Sequence, residues 1–264
     1  MCRHLFLYVL ILTGFSSAWG QYEDIPPGHQ NLLEVGIGYT QLYTKDLNFS
    51  PLNYSGNGFV YNLAYERRSK SDRHLLSMSA AFSSDYLQTP TPNTIDPLYI
   101  YADIGISFNT QIFPSEQRKA KYYLGGAYNT RAFYIDYDDQ EAFSYTATHG
   151  LSVLGILEYQ INVKNKFRTS LSIPIVQLLA RPPYNGIDAF IIENQDNVEQ
   201  ILFFGKVASF NHYRAVFWKT DYRYSVCRFL DVGLRYHLGY QTATEPVKSV
   251  LWQHQVSTFL GLKF

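Results

Sequence analysis

The sequence predicts an all-β fold, a transmembrane antiparallel up-and-down β-barrel of about ten strands, within a range of eight to twelve. Three observations predict it. Apolar and polar residues alternate from residue 32 to the end of the chain, the connections between segments are short and long in turn, and the last segment ends on an aromatic residue. Composition agrees: 17% of the 264 residues are aromatic, with 23 Tyr and 18 Phe. A Tyr ring is apolar and its tip polar, which suits the boundary between hydrocarbon and water. After residue 20 no apolar run approaches the roughly 20 residues that a membrane-spanning helix requires, and mean hydropathy is slightly negative. A barrel accommodates both facts, because each strand shows only alternate residues to lipid.

The first residues read as an export signal. Arg3 and His4 give a positive start, Leu5 to Leu12 is an unbroken apolar run, and Ser16-Ser17-Ala18-Trp19-Gly20 carries the small residues of a signal-peptidase site. Residues 1–20 are therefore expected to be a cleaved signal peptide, 21–31 a short N-terminal extension and 32–264 the barrel. A retained N-terminal anchor is the alternative, but the run is too short for a stable helical span. Loss of residues 1–20 would leave 244 residues with 21 basic against 22 acidic side chains. That balance speaks against a nucleic-acid partner, which would require a basic excess or stripe. Cys227 would remain alone and could form no internal disulfide.

Ten segments follow in order. The first, about Leu32–Thr44, sets Leu33, Val35, Ile37 and Tyr39 against Glu34, Gly36, Gly38 and Thr40. The second, about Gly58–Arg67, carries Phe59, Tyr61, Leu63 and Tyr65 on one face, and the third spans about Arg73–Leu87. In the fourth, about Leu98–Phe113, Leu98, Ile100, Ala102, Ile104, Ile106 and Phe108 oppose Tyr99, Tyr101, Asp103, Gly105 and Ser107. The fifth to seventh are about Lys121–Asp136, His149–Val163 and Lys166–Leu179. The eighth, about Tyr213–Val226, opposes Val216, Trp218, Thr220 and Tyr222 to Phe217, Lys219, Asp221 and Arg223. In the ninth, about Leu230–Gln241, Leu230, Val232, Leu234, Tyr236 and Leu238 oppose Asp231, Gly233, Arg235 and His237. The last is about Val250–Phe264.

The short connections are Ser69–Asp72, Pro114–Lys119, Lys164–Asn165 and Cys227–Phe229, and the long ones Lys45–Asn57, Gln88–Pro97, Tyr137–Thr148, Ala180–His212 and Thr242–Ser249. Short turns at one end and long loops at the other are the pattern of a membrane barrel. With the N-terminus on the inner side, the odd connections face outward, and these are the long ones. Within Ala180–His212, Ile187–Ile192 and Gln200–Phe204 suggest an extra hairpin, which would project or raise the count to twelve. A soluble secreted barrel or sandwich also alternates, but needs neither the loop asymmetry nor the terminal aromatic.

That ending, Thr258-Phe259-Leu260-Gly261-Leu262-Lys263-Phe264, resembles the C-terminal strand of Gram-negative outer-membrane proteins. The resemblance implies an outer-membrane location, outer-membrane lipid as solvent, and recognition by the barrel-assembly machinery through Leu260, Leu262 and Phe264. The Gln21 start and the Leu-Gly-Leu-Lys-Phe ending are similar to barrel proteins of Bacteroidota.

If apolar faces meet lipid, Asp103, Glu158, Arg168, Lys219, Asp221, Arg223, Asp231, Arg235 and His237 point into or near the lumen. Mixed signs on neighbouring strands predict cross-barrel ion pairs, and a barrel of eight to ten strands is narrow enough for side chains to fill. The expected role is structural or interactive, in company with other envelope proteins; a narrow channel for small solutes is the alternative. A hydrolase is the second alternative. Omptin proteases, also ten-stranded, use an Asp dyad with an Asp-x-His element, but Phe210 stands two residues before His212 and the adjacent Asp138-Asp139 read as loop charges. Outer-membrane lipid hydrolases use His-x-Ser on one strand face; His149…Ser152 and His74…Ser77 are spaced by three, which puts the partners on opposite faces unless a bulge intervenes. No metal or cofactor site is expected from the scattered His residues. Gly125-Gly126 reads as close packing. Tyr43, Phe49 and Tyr54, with Tyr184 and Phe190, suggest either an outer contact surface or loop packing.

Overall fold

The computed structural model describes residues 30–89, 96–113, 119–137, 142–182, 193 and 197–264. The expected signal peptide, nearly all of the N-terminal extension, Asp138-Asp139, Tyr184 and Ile187–Ile192 lie outside the described residues. The elements are β1 (Asn31–Asp46), β2 (Tyr54–Arg68), β3 (His74–Gln88), β4 (Leu98–Gln111), β5 (Ala120–Tyr137), β6 (Ala142–Gln160), β7 (Asn165–Ala180), α1 (Val198–Phe203), β8 (Lys206–Ala208), β9 (Tyr213–Cys227), β10 (Leu230–Ala243) and β11 (Ser249–Lys263). All except α1 and the three-residue β8 form one closed antiparallel barrel of ten strands. β1 to β7 pair in sequence, β7 pairs with β9, and β11 returns to β1 from Leu32↔Lys263 to Asp46↔Ser249. Closure removes the unpaired backbone edge that hydrocarbon does not tolerate.

The register fixes the shape. Followed once around, Glu158 leads through Arg168, Asp221, Arg235, Ser257, Gly38, Val60, Ser83, Tyr101 and Phe133 to Thr146, twelve residues along the same strand. Ten strands with that stagger tilt by about 40°, so each residue adds roughly 2.5 Å of height. Strands of 14 to 19 residues thus rise about 35–47 Å along the axis.

The sidedness is that of a membrane barrel. Val35, Ile37 and Tyr39 on β1 and Phe59, Tyr61 and Leu63 on β2 are 50–62% exposed, while Glu34, Thr40 and Glu66 on the alternate positions of the same strands are buried. Traced through the register, the outward apolar belt runs from Leu33, Tyr122 and Leu262 at the turn end up to Tyr39, Phe59 and Phe82. That is roughly 20–25 Å, the height of the lipid-facing band of such barrels. Just above it stand the polar Gln41, Asn57 and Ser84, and beyond them the exposed aromatics Tyr43, Tyr86 and Trp252.

Two expectations are corrected. β6 begins at Ala142, well before His149, so most of the expected loop Tyr137–Thr148 is strand. Ser144, Thr146 and Thr148 alternate with Phe143, Tyr145 and Ala147, a contrast too soft to mark a strand by sequence. In place of an extra hairpin, Gln200–Phe203 belongs to helix α1, capped by Asn197, whose side chain accepts from Gln200 N at 3.4 Å. Ile201 and Leu202 lie on the outer wall over Tyr145, Ala147 and Ala180, all 6% exposed or less.

The barrel's irregularity sits in β7. Pro174 has no N–H to donate, and the β6–β7 register shifts between Leu151 and Ser152, leaving Ile175 as an extra residue. Gly150 stands there, where a Cβ would come within 2.1 Å of Val176 O, so only glycine permits the approach. Above Ser172↔Phe217, β7 parts from β9 and β8 takes its edge at Gln177–Leu179.

Candidate functional site

The lumen is layered. At the turn end, alternation brings Glu66 and Arg68 inward from β2, Glu158 from β6, and Lys166 and Arg168 from β7. Arg68 grips Glu158 with both terminal nitrogens, at 2.5 and 3.0 Å, and reaches Glu66 at 2.6 Å. Glu158 also meets Lys166 at 2.8 Å and Arg168 at 3.7 Å, and Arg168 pairs with Glu66. Asp72, left-handed in its tight turn at φ 54, sets its carboxylate beside Arg68 at 3.2 Å and Lys121; Asp is among the few residues that tolerate that backbone. A carboxylate shared by several guanidinium and ammonium groups is what allows such charges to be buried at all.

A second group lies beside the first. Glu34 of β1 receives Arg223 of β9 and Arg235 of β10, the latter at 2.6 Å, and Arg235 also bonds Asp221 at 2.8 Å. Both guanidinium groups lie over the Phe259 ring, at 5.5 and 4.7 Å from its centroid. Asp231 pairs with Lys263 at 2.6 Å.

Higher up, Arg131 of β5 bonds Asp103 at 3.1 Å and lies over Phe217 at 3.7 Å. These groups border a chamber of about 160 Å³ that Lys219, His237, Asn129, Ser77 and Ser172 also line. Asn62 Nδ2, Ser77 Oγ, Asp103 Oδ1, Asn129 Oδ1 and Ser172 Oγ have no protein partner, so the chamber suits water, of which it has room for on the order of ten molecules.

The loop end is closed by apolar side chains: Leu42, Tyr54, Leu87, Tyr99, Tyr101, Phe133, Ile135 and Leu251 form one buried cluster with Phe49 packed against it. Arg181 ties the rim, donating to Glu245 O and Val247 O at 2.6 Å each and to Asp46 at 2.7 Å. At the other end a depression of about 700 Å³ is floored by Glu66, Arg68, Lys166, Arg223 and Asp231. Glu66 borders both this vestibule and the chamber, so the ion-paired layer is the partition between them.

All nine charged or titratable residues singled out from the sequence lie on inward positions of their strands. They do not form one network: Glu158 and Arg168 join the first group, Asp221, Arg223 and Arg235 the second, and Asp103, Lys219 and His237 border the chamber. Asp231 binds Lys263 at the base. Glu34, Glu66, Arg68, Asp72, Lys121, Arg131 and Lys166 went unselected. Parity offered the signal for Glu34 and Glu66, which alternate with the apolar faces of their strands. Of the aromatic candidates, Phe49 and Tyr54 pack into the apolar closure, whereas Tyr43 is exposed on the outer wall. His149 faces outward, with Nε2 3.0 Å from Leu202 O, Nδ1 3.2 Å from Thr130 Oγ1 and its ring stacked on Phe203 at 4.1 Å. Ser152 is buried on the inward face, and the nearby bulge adds its residue to β7, so the pair stays on opposite sides. His74 is exposed outside while Ser77 borders the chamber.

An apolar exterior around a charged, closed lumen defines a transmembrane β-barrel. No family model and no curated protein matches the sequence. Among solved structures, the outer-membrane protease OmpT from Escherichia coli is similar over 94% of this chain and 99% of that one, at 7% identity and a TM-score of 0.52. The transport unit of the autotransporter AIDA-I from Escherichia coli aligns over 97% of both chains at 10% identity and a TM-score of 0.46. The translocator domain of the autotransporter NalP from Neisseria meningitidis aligns over 99% of this chain and 96% of that one, at 8% identity and a TM-score of 0.43. The likeness to OmpT is one of fold.

Proposed function

We propose that this protein is a stoppered barrel of the Gram-negative outer membrane, exported by a cleaved signal, whose role is structural or interactive rather than conductive. One observation carries the reading: ion-paired side chains close the lumen at the turn end and packed apolar side chains close it at the loop end. Both closures are built mainly from strand side chains, with Phe49 and Asp72 added from connections, so they persist without a loop folding into the lumen. The barrel then serves as a rigid mount for its outer loops, with other envelope proteins as partners and β11, with Phe264 after it, as the segment offered to the assembly machinery.

Single-channel recording in a planar bilayer tests this directly. The purified protein is expected to give no openings. Arg68→Ala with Glu158→Ala removes only the turn-end stopper and is expected to stay closed, whereas adding Tyr99→Ala and Tyr101→Ala at the loop end is expected to let the barrel conduct. Repeatable openings of the unmodified protein would overturn the reading in favour of a narrow channel. The partner-poor polar chamber, one ion-paired layer away from the vestibule, favours that second reading. A hydrolase has no comparable support: the His–Ser pairs straddle the wall, and a shared fold with a protease transfers no activity.

A further inference from the structure

We propose that α1 and β8 form an elbow embedded in the outer-leaflet interface, so that the fourth outer connection is partly a membrane-binding element. Around β1 to β3 a polar ring of Gln41, Asn57 and Ser84 tops the Tyr39–Phe59 level, and above it the outward positions are again aromatic, with the exposed Tyr43, Tyr86 and, on β11, Trp252. On the β6–β9 side that upper aromatic level is supplied by the fourth outer connection. At the corresponding height Ile201 and Leu202 roof the wall over Ala147 and Ala180, and His149 is stacked beneath Phe203.

Beyond that roof the elbow presents Phe203 at 53%, Phe204 at 63%, Val207 at 74% and Phe210 at 51% exposure. This apolar surface is continuous with the lipid-facing belt through Val176 and Val216, which are 44% and 40% exposed and lie just below. The continuity identifies the occupant as lipid. Register places the elbow about three or four residues above Tyr39, or roughly 8–10 Å, level with the exposed Tyr43 and Tyr86, and aromatic rings exposed at such a level mark the membrane interface. Lys206, 84% exposed, and the exposed Arg214 flank the apolar residues. Long cationic side chains beside aromatic rings suit the zone between acyl chains and phosphates. The upper part of β7, where the ladder to β9 ends, lies behind this elbow, so the same cover shields a stretch of wall that hydrocarbon would otherwise reach.

Nitroxide labelling of the full barrel, refolded into phosphatidylcholine vesicles, tests the proposal. In a Cys227→Ser background, labels are placed singly at Val207→Cys, at Val153→Cys within the belt and at Asn53→Cys in the first outer loop. Collision rates with oxygen and with a water-soluble nickel chelate are then compared. The ratio of oxygen to nickel collisions at 207 is expected to lie below that at 153 and several-fold above that at 53. A ratio at 207 matching that at 53 would place the elbow in water and overturn the proposal. Shielding of 207 from both reagents would overturn it in favour of a second protein copy as the occupant. Circular dichroism and gel mobility of each labelled barrel confirm folding, and the absence of conductance is not at stake in either outcome.

Discussion

Replacing Glu158 with Ala would leave Arg68, Lys166 and Arg168 facing one another with only Glu66 and Asp72 to balance them. Glu158 is 2% exposed, and breaking a buried ion pair from one side costs about 3–5 kcal/mol. Urea unfolding in lipid vesicles should show a loss of that size for Glu158→Ala. Lys206→Ala, at a pair of 3.5 Å with Glu245 on an exposed side chain, should stay within about 0.5 kcal/mol. A loss below about 1 kcal/mol for Glu158→Ala would mean that the remaining carboxylates suffice. The face occupied by Glu158 follows from its place between Leu157 and Tyr159. Its partners do not, because Arg68 comes from a strand 90 positions away and meets it only once the cylinder has closed. Arg68 also lies one residue past the alternation that marks β2 in the sequence, so nothing local singled it out.

Within β6, two glycines predict opposite responses to the same substitution. A Cβ on Gly150 would meet Val176 O at 2.1 Å and Gln177 Cα at 2.8 Å, whereas a Cβ on Gly155 would meet nothing within 4 Å. Gly150→Ala is expected to destabilise the barrel by about 1–3 kcal/mol through forced backbone movement. Gly155→Ala is expected to be neutral or to stabilise it by about 0.5–1 kcal/mol, since alanine restricts the unfolded chain. The urea midpoints of the two variants in the same vesicles should move apart, and a shared direction would contradict the bulge geometry. Strands with strong two-sided contrast, such as β4 and β10, were legible almost to their ends. α1 was not: Gln200–Phe204 is apolar and short, a pattern that strand and helix share, and only the wall beneath it decides.

Closure of the whole molecule makes a covalent prediction. Val35 pairs with Leu260, and Leu260 with Val232. In a Cys227→Ser background, Val35→Cys with Leu260→Cys should oxidise to an intramolecular disulfide in the folded barrel. Val35→Cys with Val232→Cys, two strands and about 10 Å apart, should not. Gel mobility without reductant reads both, and failure of the first pair would open the barrel at the β1–β11 seam. The short-long rhythm held only in part, because β6 begins at Ala142 and leaves four residues after β5; strand number and sidedness were visible in the sequence because lipid enforces them on every strand. The stagger of twelve residues was not, since it depends on how the first and last strands meet.

The two-ended stopper carries a consequence for the cell. A membrane's tolerance for any cylinder depends on how many it can hold before ions, nutrients or toxins leak through. On the proposed reading, a cylinder corked by its own wall adds no leak, so leak sets no ceiling on its abundance. Its outer loops can then be displayed at high density without weakening the barrier that holds them.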